Sequence, residues 1–442
     1  MNNLRLLAVL LVAVLPGASP CLYAADVAQG EVLTLEELFR VAEGQSSRLR
    51  AAKAAGEQAR VAADAARSAR LPDVSASLQV SYIGDGFTTK RDFSDCQRAP
   101  IPHLGTGVGV EVAQPVYTGG AISASIAMAE LRATAACYAT DAARADMRFA
   151  LTGYYLDIYR FTILRRVVEQ NAGLARQVLA QMHARHDQGT ALRNDITRYE
   201  LLVSDLDLQL VKIDNTLSIL RRNLAVTAGL DEGTVVEPDT TILLRSLPVE
   251  GEEAWRDDAL RNSPALKLSR QGVAMSRRAE DLTRADMLPK VGLKAAWTMD
   301  GPILVEIPPI NRNLSYWYVG VGVSYNLSSL WKARRSLAAD RAATFAAQQE
   351  LDAATDGTGM AIHADYTRYM EAYEELKTQH KSVELAESNY AVTATRYDAD
   401  MALITDMVDA ANAKLDAEQR LVDAKINIIY YYYKLLFTSG KI

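Results

Sequence analysis

Two long copies of one pattern constrain this 442-residue chain more than any single motif does. Leu71-Pro72 closes one alanine-rich segment and Leu288-Pro289 closes another 217 residues later; at the same offset Ser46 and Leu49 fall on Ser263 and Leu266. Further along, the stretch Arg185 to Asp195 matches Arg396 to Asp406 at an offset of 211, with the Arg185/Arg396, Asp187/Asp398, Ala191/Ala402, Leu192/Leu403 and Asp195/Asp406 pairs identical. Gly229 and Gly440 close the copies at that same offset. The repeats therefore run over about 35–230 and 254–440, and the second carries a shorter insertion. The expected division is 1–25, 26–230, a Pro/Gly-containing linker over 231–253, and 254–442.

Each copy reads as a helix, two strands, a very long helix, a tight turn and another helix. Thr34 and Glu37 form a capping-box pattern that opens the first helix. Pro72 biases Leu71 away from helix, so this reading gives one helix of about 35 residues. Ala121–Met182 contains no proline, and as a helix it would run roughly 90 Å, too long for a compact domain. About one residue in six is alanine, which suits helices packed closely along their length. After the turn, Ile196, Tyr199, Val203, Leu206, Leu210, Ile213, Leu217, Leu220 and Leu224 alternate spacings of three and four, the 3.5-residue period of a coiled-coil seam. The opening helix has a seam of small residues instead, from Leu49 through Ala52, Gly56, Ala59 and Ala63 to Ala66. Gly357 and Gly359 predict a local bend in the second long helix.

Between the helices the period changes to two. Strands are expected over about 73–83, 105–117, 290–299 and 315–327, with Val74, Leu78 and Val80, or Trp317, Val319, Val321 and Val323, alternating with polar residues and glycine. Such strands match the length of a tilted membrane strand, with one apolar face and one polar face. Four strands cannot close a membrane barrel, and open edges are not tolerated in lipid, so several chains must share one barrel. A trimer gives twelve strands. The longer loop, 84–104, carries Asp85, Lys90, Arg91 and Cys96 and is expected at the outer end of the barrel.

Met1 to about Ala25 has the charged start, short apolar core and small-residue end of a signal peptide. Pro20 before Cys21 disfavours the lipoprotein alternative. The formal charge is −6 without a Lys/Arg-rich run, which excludes a nucleic-acid binder. Cys96 and Cys137 are expected tens of ångströms apart and not disulfide-bonded. His183 and His186 read as a solvated helix end, with a zinc pair lacking its third ligand as the alternative. Neither catalytic residues, cofactor nor metal is expected, and the chain is not read as an enzyme.

The tandem arrangement, the segment around Leu71-Pro72, the run Gln114-Pro-Val-Tyr-Thr-Gly-Gly120 and the two turn motifs together resemble the TolC-like outer-membrane efflux proteins over the whole mature chain. The resemblance implies an α+β membrane channel: a homotrimer with a 12-stranded β-barrel in the outer membrane on a long α-helical coiled-coil barrel in the periplasm. The linker, the chain ends and the Tyr430–Tyr433 run would lie in an equatorial belt. It further implies an exit duct of a tripartite efflux or type I secretion system, docked onto a periplasmic adaptor (membrane fusion) protein and an inner-membrane RND, ABC or MFS transporter.

Residue by residue, the acidic entrance falls on Asp406 and Asp409 and the gate tethers on Tyr397, Asn194 and Asp195. The adaptor-docking tips fall on Arg185, Gly189, Leu192, Arg396, Asp400 and Leu403. Two positions depart from the family pattern: Ala402 stands where an arginine holds the gate, and Asp400 replaces the turn glycine. Asp406 and Asp409 also suit acids that complement a helix start, and both readings stand. The rival reading is a trimeric coiled-coil adhesin, which would gather its four strands at the C-terminus. Here the strands come in two separated pairs.

Overall fold

A computed structural model describes residues 32–189, 192–231, 236–239, 247–248, 250–306, 309–399 and 401–442. The expected signal peptide and Cys21 lie outside the described residues, as does Asp400. The first unit comprises β1 (Val32–Leu33), α1 (Leu35–Gln45), α2 (Ser47–Arg67), β2 (Asp73–Tyr82), β3 (Gly86–Thr88), β4 (Gln97–Ala99), β5 (Leu104–Tyr117), α3 (Ala121–Asp187) and α4 (Arg193–Ala228). Short β6 (Glu237–Pro238) pairs with β1. The second unit comprises α5 (Glu252–Asn262), α6 (Pro264–Ala285), β7 (Lys290–Gly301), β8 (Leu314–Ser324), α7 (Ser329–Asp398) and α8 (Ile404–Ser439).

The capping box opens α1: Glu37 N–H donates to Thr34 Oγ1 at 3.3 Å and Thr34 N–H donates to Glu37 Oε2 at 3.0 Å. The Thr34 N–H and the Thr34 hydroxyl, both donating to the Glu37 carboxylate, hold it below its ordinary range. The single opening helix expected from the sequence is, however, two helices broken at Ser46, whose ψ is 122°. The reason is packing. The end of α4 comes against this break, where Gly229 takes φ +78° and lies against the Gln45 carbonyl. The second unit repeats the joint. Ser263 breaks α5 from α6 with ψ 119°, and Gly440 takes φ +74° with a β-carbon position 2.8 Å from Asn262. The serines and glycines that align between the halves are the two sides of this joint, where a side chain on the glycine would collide.

α3 and α7 have 67 and 70 residues, each about 100 Å long. α7 runs through Gly357 and Gly359 without interruption, so the expected bend is absent. α3 packs along α4 and α7 along α8; α3 also lies beside α2, α6 and α8, and α6 beside α7. The coiled-coil seam is the contact face of α4: Ile196, Tyr199, Leu206, Ile213, Leu217 and Leu224 are buried, and Val203, Leu210 and Leu220 pack against them. At mid-length, Trp255 of α5, Tyr369 of α7 and Tyr432 of α8 form an aromatic cluster, with the Trp255 and Tyr432 rings edge-on at 6.2 Å. Tyr433 is buried beside it.

The four long strands form one antiparallel sheet in the order β2-β5-β7-β8. Its register aligns the apolar residues: Val110 faces Ala76 on one side and Trp297 on the other, and Trp297 faces Trp317. This face is open, with Leu78 76% and Trp317 74% exposed. The opposite face carries glycines and polar groups, including a Lys294–Glu111 ion pair at 2.8 Å. β2 and β8 leave their outer edges unpaired in the chain. The long loop holds an additional hairpin, β3–β4, absent from the sequence reading; the Arg98–Asp85 ion pair anchors its base, and Tyr82 stacks on His103 at 5.1 Å. Among the described residues, no helix is long and apolar enough to cross a membrane.

Candidate functional site at the helical tips

Far from the sheet, the α3–α4 and α7–α8 turns end the two helical hairpins. Leu192 and Leu403 occupy equivalent N-cap positions, with φ −82° in both and ψ 143° and 158°. Each is 70% exposed. Four residues on in each hairpin, the equivalent Ile196 and Met407 turn inward and are buried. Gly189 supplies φ +76° in the first turn, and its N–H donates to the His186 carbonyl at 2.8 Å. In the second turn Met401 N–H donates to the Arg396 carbonyl at 2.8 Å, and the Arg396 side chain is exposed. Each tip therefore presents one exposed leucine at the start of its second helix.

Asp406 has a local structural task. Its Oδ2 accepts the Leu403 N–H at 3.0 Å, satisfying one free donor at the start of α8. Asp409 lies one turn further and makes no hydrogen bond or ion pair among the described residues. Both side chains are exposed on the face opposite buried Ile404, Met407 and Ala410. Residues three apart on a helix are neighbours, so each chain presents two adjacent carboxylates. In the first unit Asp195 occupies the same position in α4, half-buried, with Asn194 exposed before it.

Arg185, expected at a docking tip, reaches across to the other hairpin. Its guanidinium lies 5.7 Å from the Tyr397 ring centroid and donates to the Asp398 carbonyl at 3.3 Å and carboxylate at 3.4 Å. Tyr397 is half-buried, and nearby Tyr199 is fully buried in the seam, where desolvation pushes its phenol well above the usual range. Higher on the same α3 face stand two further polar links to α8, which sequence reading missed. Arg160 reaches Asp423 at 3.4 Å and Asn427 at 3.1 Å, and Asn171 donates to Glu418 at 2.8 Å. Lys414 lies 3.4 Å from that Glu418 carboxylate. Desolvation raises the neighbouring Asp157 carboxyl, while Arg160 opposes the shift. Polar residues recurring at three- and four-turn intervals on an apolar helix face were the available signal.

His183 lies 3.9 Å from Glu200, and His186 lies 4.0 Å from Asp187. Among the described residues no cluster of His, Cys, Asp and Glu could hold a metal ion. Cys96 and Cys137 are free and exposed.

The family model for outer membrane efflux proteins matches residues 38–230 and 255–430. A stretch of 200 residues is 25% identical to the alkaline protease secretion protein AprF of Pseudomonas aeruginosa, covering 45% of this chain and 40% of that protein. The fold is similar to that of the outer membrane protein VceC from Vibrio cholerae, with a TM-score of 0.77, 16% identity, and 92% and 96% of the two chains covered. It is likewise similar to the open state of the Neisseria gonorrhoeae MtrE outer membrane channel, with a TM-score of 0.69, 15% identity, and 92% and 88% covered. The match spans most of the sequence, and the chain belongs to the outer membrane efflux protein family.

Proposed function

We propose that this chain is the outer-membrane exit duct of a tripartite efflux or type I secretion system. Three copies close a 12-stranded barrel in the outer membrane, and their helices form a periplasmic tunnel. The carrying observation is the sheet: it exposes an apolar face, yet the outer edges of β2 and β8 have no partner strand among the described residues. Open edges have no place in lipid, so neighbouring chains must pair β8 with β2. In this reading residues 26–230 and 254–442 are the two structural repeats, and 231–253 lies in a belt around the tunnel.

The energy for transport comes from partners. A periplasmic adaptor docks at the tips presented by Leu192, Leu403, Gly189, Arg396 and Asp400, and an inner-membrane RND, ABC or MFS transporter selects the cargo. Asp406 and Asp409 of three chains line the entrance, where carboxylates near one axis favour cations. Arg185 on Tyr397 and Asp398 joins Tyr397, Asn194 and Asp195 in tethering the hairpins of the closed entrance, in the absence of an arginine at Ala402.

Chemical crosslinking of the full chain in outer membranes tests the barrel directly. The expected product is a trimer of the chain. A stable monomer that resists crosslinking overturns the shared barrel and the duct with it.

A further inference from the structure

The periplasmic foot of the sheet carries an exposed apolar fringe followed at once by cations. Leu71 before β2, Val116 at the end of β5, and Leu327 after β8 are 63%, 60% and 62% exposed. They stand exposed at the end of the sheet from which the long helices leave. α7 then begins with Trp331, 61% exposed, on the side opposite its buried Ser329 and Ala333. Lys332, Arg334 and Arg335 follow within one turn, all exposed, and none has an ion-pair partner among the described residues. The first carboxylate on α7, Asp340, is already engaged by the Thr283 hydroxyl at 2.5 Å. The outer end of the barrel differs, because there Arg98 pairs with Asp85 and Lys90 lies 3.4 Å from Asp95. Three such cations within one turn concentrate positive charge locally in a chain whose formal charge is −6.

We infer that the first turns of α7 form a binding site for anionic phospholipid of the inner leaflet, with Lys332, Arg334 and Arg335 on the headgroup phosphate and Trp331 at the glycerol level. Two observations support this occupant: the site follows directly on β8, which carries the exposed apolar face, and its unpaired charge is positive. With the sheet in the outer membrane, this places it where acyl chain gives way to headgroup. Aromatic side chains settle at that interface because one end is apolar and the other wet. Clustered lysine and arginine at a membrane surface select anionic lipid, with an attraction that salt weakens. The inference goes beyond the duct function and requires only that the sheet lies in the outer membrane.

Native mass spectrometry of the delipidated trimer, supplied with phosphatidylglycerol, cardiolipin or phosphatidylcholine, tests it. The wild-type protein is expected to retain the anionic lipids at least about tenfold better than phosphatidylcholine. In the K332Q/R334Q/R335Q variant that preference disappears, while Trp331→Ala lowers retention of all three lipids. A wild-type trimer without preference overturns the inference, and so does a triple variant that keeps it. Loss of the trimer in the triple variant, with lipid preference kept by the remaining assembled protein, would place this turn between protomers and overturns it as well. Failure of the duct reading has a different signature, namely normal lipid preference without channel conductance.

Discussion

Arg185 and Asp406 show how much a single side chain at the tips can do. Arg185 spans from α3 to α7 with two hydrogen bonds and a ring face, but its side chain and that of Asp398 are 32% and 64% exposed. Such a pair is worth about 0–1 kcal/mol after solvent screening. Arg185→Ala should therefore favour opening by no more than about fivefold for each protomer whose tether is lost, read as open time in planar bilayers. A shortened open time would contradict a tethering role. Asp406 combines a charge with a cap. Asp406→Asn keeps an acceptor for the Leu403 N–H, so a double variant with Asp409→Asn should leave the trimer's thermal stability unchanged while weakening block by polyvalent cations. Block as strong as in wild type would mean the carboxylates do not face the axis. The place of Asp406 at the start of α8 was legible in the sequence, because the turn motif aligns it with Asp195. The Arg185 contact was not, because it joins residues 213 apart whose proximity only the packed hairpins create.

At the level of elements, regular periodicity was readable and interruptions were not. The seam of α4 announces itself because nine residues keep a 3.5 period, and all nine face the packed interior. Leu217→Ala, at a position 4% exposed, should cost about 2–5 kcal/mol, measured as earlier heat dissociation of the trimer. Leu208→Ala, on the other face at 51% exposed, should change stability by less than about 0.5 kcal/mol. Equal effects would mean that the trimer buries the outer face too. Serine is common inside helices and at their ends, so Ser46 gave no local warning of a break. Its alignment with Ser263 was the only trace of the joint. The β3–β4 hairpin was invisible for a simpler reason: three-residue strands such as Gln97–Ala99 are too short to establish a period.

At the level of the whole molecule, the repeat and the need for partner strands followed from the sequence, and the pairing of the halves came from the structure. The sheet is not two hairpins side by side by chance. β5 and β7 share an eleven-pair register, from Thr106 with Gly301 to Tyr117 with Val291, that welds the two repeats. That weld has a consequence for how the protein is made. When the ribosome has finished the first repeat, β5 has only β2 beside it, and its other edge waits for residues almost two hundred positions further along. A half-made chain thus exposes an apolar strand with unsatisfied backbone, a template for aggregation. The two repeats expressed as separate exported polypeptides should each be degraded when alone and recover as trimer when produced together. Stable accumulation of the first repeat by itself would contradict this dependence. The late synthesis of β7 thus sets the earliest moment at which the four-stranded sheet can form.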